Sequence, residues 1–141
     1  MAKMQEAIDK KLVSKHTLVP TMELVPQMEY GNVRPLDKAF VAVLKQSMLR
    51  KPTAAYVPLV VNVVTPHSAD QIINSMESYK FEVIGRNHSR QAVQDILKTM
   101  TTHPRFQTRL CKIYKNLSKE ECDWVCGFIL FYLHLITHIA H

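Results

Sequence analysis

One short polar segment of the chain, residues 85–90, has the residue types and the position that phosphate binding needs. The segment follows an apolar run that ends at Ile84, and a helical pattern begins soon after it at Ala92. A strand that leads directly into a helix directs unpaired backbone N–H groups and the positive end of the helix dipole toward one place, which attracts anions. The predicted anion-binding residues of the segment are Gly85, Arg86, Asn87, His88, Ser89 and Arg90.

Each residue type in this segment has a use in binding phosphate. Gly85 allows a backbone conformation or a close approach that a side chain would block. The arginines and the histidine supply donors, while the asparagine and the serine can cap a helix or bind a phosphate oxygen. The same spacing also fits an ordinary capped helix with solvated arginines, so the surrounding elements have to decide between these two interpretations.

The elements around this segment predict an α+β fold, a small mixed sheet flanked by helices. A helix is expected to begin after the N-cap candidate Asp37 and to end at a Lys-Pro pair. Residues 57–64 are short, β-branched and apolar, which is typical of a strand covered on both faces. Further strands are expected at residues 80–84 and 108–114, and a further helix is expected to run from Ala92.

The sequence divides into three parts. Residues 1–29 are expected to be an N-terminal arm or lead-in strand, with both a short helix and a frayed arm left open for residues 1–16. Residues 30–118 are expected to form the domain, and residues 119–141 an apolar C-terminal helix. A Ser-x-x-Glu capping box that starts at Ser118 is expected to open that last helix.

Composition restricts the class of protein without selecting a function. The chain has 141 residues, of which 47% are hydrophobic and 21% charged, which is typical of a single globular domain. Its 18 basic and 12 acidic residues give a net charge of +6, which favours anionic partners, although the basic residues are too scattered for an arm along a nucleic-acid backbone. Three cysteines and an N-terminal stretch without an apolar leader region favour an intracellular location, in the cytoplasm or the nucleus.

The order of four segments resembles the ParB/sulfiredoxin superfamily, over about residues 30–118. The segments are a Val-Arg-Pro-Leu entry at residues 33–36, a helix at 41–48, a strand at 57–61, and the strand, turn and helix start at 81–92. The resemblance implies a ParB/sulfiredoxin-like fold and a turn that binds nucleotide phosphates at a helix N-terminus. It thus implies the same chemistry that the residues of the turn suggest.

The resemblance also assigns individual residues. His88 matches the histidine of the superfamily, and Arg34 matches an arginine that faces the phosphate turn in that fold. A basic residue near the start of the first helix falls at about Phe40 here, and Lys38 is its candidate replacement. Asn87 takes the place of the reactive cysteine, and a sulfinic acid cannot be reduced without that thiolate, so this chain is not expected to be a sulfiredoxin.

The chromosome-partition branch of the superfamily gives a weaker correspondence. Its Gly-Glu-Arg-Arg-x-Arg-Ala signature, aligned to end on Ala92, places Asn87 at its acidic position and His88 and Ser89 at two arginine positions. No helix-turn-helix follows position 118, so sequence-specific DNA binding by this chain alone is not expected. ParB-like kinases of small metabolites add an acidic base, for which Glu82 and Asp95 are both available.

The leading interpretation is a nucleotide- or phosphate-binding domain whose partner is a nucleotide or a phosphorylated small molecule. The resemblance implies ATP or CTP with Mg²⁺ as the ligand. Two alternatives remain open. One is an ATP-dependent phosphotransferase or NTPase of the same fold, in which His88 or Asn87 orients the γ-phosphate, and no catalytic residue is assigned for it. The other is a non-catalytic protein-interaction domain with a vestigial site.

The apolar C-terminal segment is expected to pack against the domain or against another protein chain rather than to cross a membrane. Residues 124–140 are at the lower limit of length for a bilayer span, and packing against the domain, a second copy in a homodimer or another protein partner is the simpler interpretation. His134, His138 and His141 share one helical face and are zinc-ligand types. No metal site is predicted there, because a fourth ligand is not evident.

Overall fold

The computed structural model describes residues 2–27, 35–53 and 57–127, and it has the mixed α+β architecture that the sequence predicts. Short 3₁₀ turns lie at Thr21–Glu23 and at Met76–Ser78. Residues 119–127 are also helical. The elements are α1 (Ala2–Asp9), β1 (Leu12–Pro20), β2 (Leu24–Pro26), α2 (Lys38–Arg50), β3 (Leu59–Val63), α3 (Ala69–Asn74), β4 (Phe81–Ile84), α4 (Asn87–Thr99) and β5 (Thr108–Lys115).

Five strands form one mixed sheet in the order β1-β5-β3-β4-β2. β5 pairs antiparallel with β1 and parallel with β3, while β4 pairs antiparallel with β3 and parallel with β2. The apolar segment that predicts a strand covered on both faces becomes β3, the central strand of this sheet. The prediction of a mixed sheet is confirmed.

The two faces of the sheet carry separate apolar clusters. On one face the neighbouring residues Val61, Val83 and Ile113 are buried and pack with Ile72 of α3. On the other face a second cluster lies beneath α1 and the 119–127 helix; its buried members are Ile8, Ile84, Tyr114, Leu117, Cys122 and Val125. Alternation along each strand, with a period of two residues, places its side chains on these two faces in turn.

α2 and α4 pack against each other through a third apolar cluster. Val41 and Met48 of α2 are buried against Ala92 and Ile96 of α4, and Phe106 closes the cluster. The Asp37 carboxylate caps α2 and accepts hydrogen bonds from the first amides of the helix, as the sequence predicts. This packing brings the starts of α2 and α4 together.

The N-terminal segment joins the same sheet. Of the two alternatives open for residues 1–16, the structure has the helix, α1, whose Ile8 is 1% exposed. β1 then pairs with β5 from Leu12 to Pro20, with irregular register between Leu12 and Thr17. The lead-in part of the chain therefore supplies an edge strand and covers part of one face of the sheet.

The predicted capping box after β5 is confirmed. The Glu121 amide donates to Ser118 Oγ at 3.1 Å, and the Ser118 amide donates to Glu121 Oε1 at 2.7 Å. Beyond Gly127, the predicted C-terminal helix with its histidines lies outside the described residues. In the described part of the chain, no helix has the length and apolarity needed to cross a bilayer.

Glu121 gives a prediction about stability and pH. Burial alone would raise the pKa of this carboxyl, but hydrogen bonds from Lys11 and from the Ser118 amide and hydroxyl outweigh it and hold the pKa below its usual value. A lowered pKa in the folded state stabilises the protein above the pKa of the unfolded chain, and this contribution is lost as the pH falls through the folded value. We expect Glu121→Gln to lower the free energy of unfolding at pH 7 by about 1–2 kcal/mol.

Urea unfolding at several pH values measures this effect. The difference between the wild type and Glu121→Gln should shrink as the pH falls below the usual glutamate pKa and through the lower value of the folded protein, where the wild-type carboxylate becomes protonated. The matched control is Glu120→Gln, which changes an exposed neighbour and should have little effect. A deficit in Glu121→Gln that does not depend on pH contradicts this account.

Candidate functional site

A two-residue turn connects β4 to α4. Gly85 has φ 67° and Arg86 has φ 47°, so both residues lie in the left-handed region, and α4 begins immediately afterwards at Asn87. The helix therefore starts five residues earlier than the apolar pattern from Ala92 predicts. The first helical turn shows no apolar pattern because residues 87–90 are all polar. Several of their side chains make hydrogen bonds instead of apolar contacts. We call Gly85 and Arg86 the glycine-arginine turn.

The first amides of α4 form an open donor group at this turn. The Ser89 and Arg90 amides donate to the Arg86 carbonyl, at 3.1 and 3.3 Å. Among the described residues, no side chain caps α4, and the amides of Asn87 and His88 have no acceptor. Two N–H groups at the positive end of the helix dipole are thus left for a ligand.

Arg86, the residue directly before Asn87, adds a cationic side chain to this turn. Its side chain is half-buried, and burial lowers the pKa of its guanidinium from the ordinary arginine value. In the described part of the chain this guanidinium has neither a hydrogen bond nor an ion pair. A partly desolvated arginine without a counterion is stabilised when an anion binds, and phosphate fits its planar set of donors.

Arg90 does not have the solvated position that the sequence predicts. The residue is 6% exposed; its Nε donates to Asn87 Oδ1 and its Nη1 to Gln94 Oε1, each at 2.8 Å. Burial lowers the pKa of its guanidinium, while the charge of Asp95 acts in the opposite direction. The expectation of an exposed Arg90 was wrong, because its acceptors lie on the inner side of its own helix.

The hydrogen bonds of Asn87, Arg90 and Gln94 form a network that ties the start of α4 to neighbouring strands. Asn87 donates from Nδ2 to the Val83 carbonyl at 3.3 Å, which ties the start of α4 back to β4. Gln94 donates from Nε2 to the carbonyls of Thr21 and Leu24, at 3.0 and 2.7 Å. The side chains of Asn87 and Arg90 are thus engaged in structure, and their role as direct phosphate ligands stays a prediction.

His88 joins α4 to the segment before α2. Its Nε2 accepts a hydrogen bond from the Asp37 amide at 2.9 Å, and its ring lies edge-on to Phe40. Ser89 is half-buried in the first turn of α4. Arg34, three residues before Asp37, lies outside the described residues, and its place facing the glycine-arginine turn stays a prediction.

A cleft of about 630 Å³ lies between α2 and α4 and includes the predicted residue Lys38. We call it the α2–α4 cleft. Sequence reasoning named Lys38 and Asp95 but missed Lys45 and Gln91. The helical repeat could have found these two, since Lys38 and Lys45 lie seven residues apart and Gln91 and Asp95 four. The residues lining the cleft are Leu36, Lys38, Val41, Ala42, Lys45, Gln91 and Asp95.

The structure separates the two acidic residues that the sequence offers as a base. Asp95 lines the α2–α4 cleft and accepts hydrogen bonds from Gln91 Nε2 at 2.8 Å and from Lys98 Nζ at 3.5 Å. Glu82 lies on β4 and lines a different cleft, near His67. Asp95 is therefore the acid that shares a cleft with Lys38.

A scan of protein-family models finds no match to this chain, and a search of curated proteins finds none either. The resemblance to the ParB/sulfiredoxin superfamily therefore has only the residues quoted above in its support.

Gly85 gives a prediction that separates the turn from ordinary loop structure. We expect Gly85→Ala to lower the free energy of unfolding by about 1 kcal/mol, because alanine is strained at φ 67°. Gly127→Ala is the matched control: Gly127 lies in the 119–127 helix, and an added Cβ atom there meets no atom of the described residues within 4 Å. That variant should be neutral or slightly more stable. Equal effects of the two substitutions in urea unfolding contradict the left-handed turn.

Proposed function

We propose that this protein is a nucleotide- or phosphate-binding domain of the ParB/sulfiredoxin-like type. The anionic group of the ligand binds at the glycine-arginine turn. The observation that carries the proposal is that Arg86, Asn87 and His88 follow one another at the start of α4 and that, among the described residues, the two amides have no acceptor and the guanidinium has no counterion. Each of these groups is a phosphate-oxygen donor, and the helix dipole adds to their attraction for negative charge.

The α2–α4 cleft supports a ligand larger than inorganic phosphate. Gln91 lies about one helical turn after Asn87, so the cleft begins about one turn along α4 from the amides of Asn87 and His88. Its walls combine the cations Lys38 and Lys45 with apolar side chains, a combination that suits a phosphorylated molecule with a less polar body. ATP or CTP with Mg²⁺ is the proposed ligand, and an intracellular location, where such nucleotides occur, belongs to the same proposal.

One observation favours the enzymatic alternative, an ATP-dependent phosphotransferase or NTPase. Asp95 places a carboxylate in the cleft that contains Lys38. A carboxylate near bound phosphates can hold Mg²⁺ or orient an attacking hydroxyl, which are the two parts that phosphoryl transfer needs besides a phosphate cradle. Binding without turnover and binding with turnover therefore predict different outcomes for a change at Asp95.

Titration of the full chain with ATP, CTP and inorganic phosphate, each with Mg²⁺, tests the proposal. A ligand present at 100 times its dissociation constant should raise the free energy of unfolding by about 2.7 kcal/mol, which thermal unfolding detects. Adenosine and cytidine, which lack phosphate, are the matched ligand controls and should bind much more weakly. An absence of stabilisation by all three phosphate compounds contradicts the proposal and favours an interaction domain with a vestigial site.

Radiolabelled ATP or CTP then separates the module from the enzyme. Release of labelled phosphate that is abolished in Asp95→Asn, while nucleotide binding is kept, supports the enzyme. Nucleotide binding without release supports the binding module. The matched control is Asp70→Asn, which changes an exposed carboxylate on α3 and should alter neither quantity.

A further inference from the structure

A single imidazole ring joins the start of α2 to the start of α4. The Asp37 amide donates to Nε2 of His88 at 2.9 Å. The rings of His88 and Phe40 lie 5.2 Å apart between centroids, with 66° between their planes. The Asp37 carboxylate is already engaged with the Ala39 and Phe40 amides as the cap of α2. The His88 ring therefore adds a polar link between the backbone that enters α2 and α4 to the apolar packing of the two helices.

The direction of this hydrogen bond fixes the protonation state of the ring. A ring nitrogen that accepts a hydrogen bond carries no proton, so the neutral imidazole that binds the Asp37 amide has its proton on Nδ1. An imidazolium has a proton on both nitrogens and cannot accept from this amide. The Nε2 atom of His88 is therefore used by the protein's own backbone, and its Nδ1–H is the donor that remains for other contacts.

We propose that His88 is a positioning residue of the phosphate site. As a neutral Nδ1–H imidazole it holds the start of α2, and with it Lys38, next to the glycine-arginine turn. The charged groups that the two helix starts bring to this region are Asp37 and Lys38 from α2, and Arg86 and Arg90 from the α4 side. That the site binds phosphate rests on the proposed function above, whereas the hydrogen bond between the Asp37 amide and His88 is present without a ligand.

This role differs from the direct phosphate contact that the resemblance implies for the same histidine. A direct contact through Nε2 requires a proton on that atom, because phosphate oxygens accept hydrogen bonds. The geometry gives Nε2 a donor, the Asp37 amide, and so excludes that contact while the link is intact. The two roles make different predictions for the tautomer and for a glutamine substitution.

Long-range ¹H–¹⁵N correlation spectra of the labelled full chain, recorded at about pH 8, report the tautomer of His88 directly. We expect the Nδ1–H tautomer together with a protected Asp37 amide in hydrogen exchange. In His88→Ala, which removes the acceptor, the protection factor of that amide should fall about five-fold or more. The Val41 amide, which donates to the Asp37 carbonyl within α2, is the internal control and should stay protected. An Nε2–H tautomer at pH 8, or an unprotected Asp37 amide, overturns the proposal.

Two substitutions separate positioning from direct binding. His88→Gln keeps a side-chain acceptor for the Asp37 amide, whereas His88→Ala removes it. We expect the glutamine variant to bind inorganic phosphate within about three-fold of the wild type, and the alanine variant to bind it about ten-fold more weakly. An equal loss in both variants assigns His88 to direct contact and overturns positioning. A wild-type protein that binds no phosphate contradicts the proposed function, while the tautomer and the exchange of the Asp37 amide still decide whether the link exists.

Discussion

Replacing Arg90 with alanine is expected to lower the free energy of unfolding by about 2–4 kcal/mol. The buried guanidinium donates to Asn87 and Gln94, and its loss leaves the side-chain oxygens of these two half-buried residues without their donors. Gln94 in turn holds the carbonyls of Thr21 and Leu24, so the loss extends to the connection between β1 and β2. Urea unfolding monitored by circular dichroism measures the change.

Arg105→Ala is the matched control for Arg90→Ala, because Arg105 is exposed in the loop before β5. We expect its free energy of unfolding to stay within about 0.5 kcal/mol of the wild type. Arg90→Lys keeps the charge but not the paired geometry of the guanidinium, so it should recover only part of the loss. An Arg90→Ala protein as stable as Arg105→Ala contradicts the buried network.

Replacing Arg86 with alanine is expected to weaken phosphate or nucleotide binding by about ten- to one-hundred-fold, with little change in stability. A charge-assisted hydrogen bond contributes about 1.5–3 kcal/mol, which corresponds to that range of affinities. The guanidinium makes no hydrogen bond or ion pair within the described chain, so its removal leaves no protein group unpaired. Isothermal titration calorimetry with ATP, CTP and inorganic phosphate measures the affinities.

Arg86→Lys and Arg105→Ala test the cause of this loss. The lysine variant keeps a positive charge without the planar donor set, so its affinity should lie between those of the wild type and Arg86→Ala. Arg105→Ala removes the same net charge far along the chain from the turn and should bind normally. Equal weakening in Arg86→Ala and Arg105→Ala assigns the effect to the overall positive charge and contradicts a site at the turn.

The sequence predicts those parts of the fold whose signals are local. The capping carboxylate of Asp37, the apolar run that becomes β3 and the box of Ser118 with Glu121 each require only residues that are near each other in the chain. The glycine before α4 marks a real left-handed turn for the same reason. These features depend on backbone geometry, which nearby residues largely determine.

The parts that the sequence did not predict depend on distant contacts. The sequence does not indicate that Arg90 is buried. Its partner Gln94 is held by the carbonyls of residues 21 and 24, about seventy positions earlier in the chain, and such distant contacts leave no local signal. The link between His88 and Asp37 likewise spans fifty-one positions and involves a backbone amide, which has no sequence signature. The α2–α4 cleft forms only when the two helices pack, so Lys45 of α2 comes to line the same cleft as Gln91 and Asp95 of α4 through tertiary structure.

The most direct test of the phosphate site is the response of the backbone amides of Asn87 and His88 to added phosphate. Amide ¹H–¹⁵N spectra of the full chain, recorded during titration with ATP, CTP or inorganic phosphate, follow these two groups individually. The account predicts saturable shifts that are largest at Arg86, Asn87 and His88 and that disappear in Arg86→Ala. Saturable shifts elsewhere with none at these amides, or no shift with any of the three compounds in the folded protein, would contradict it.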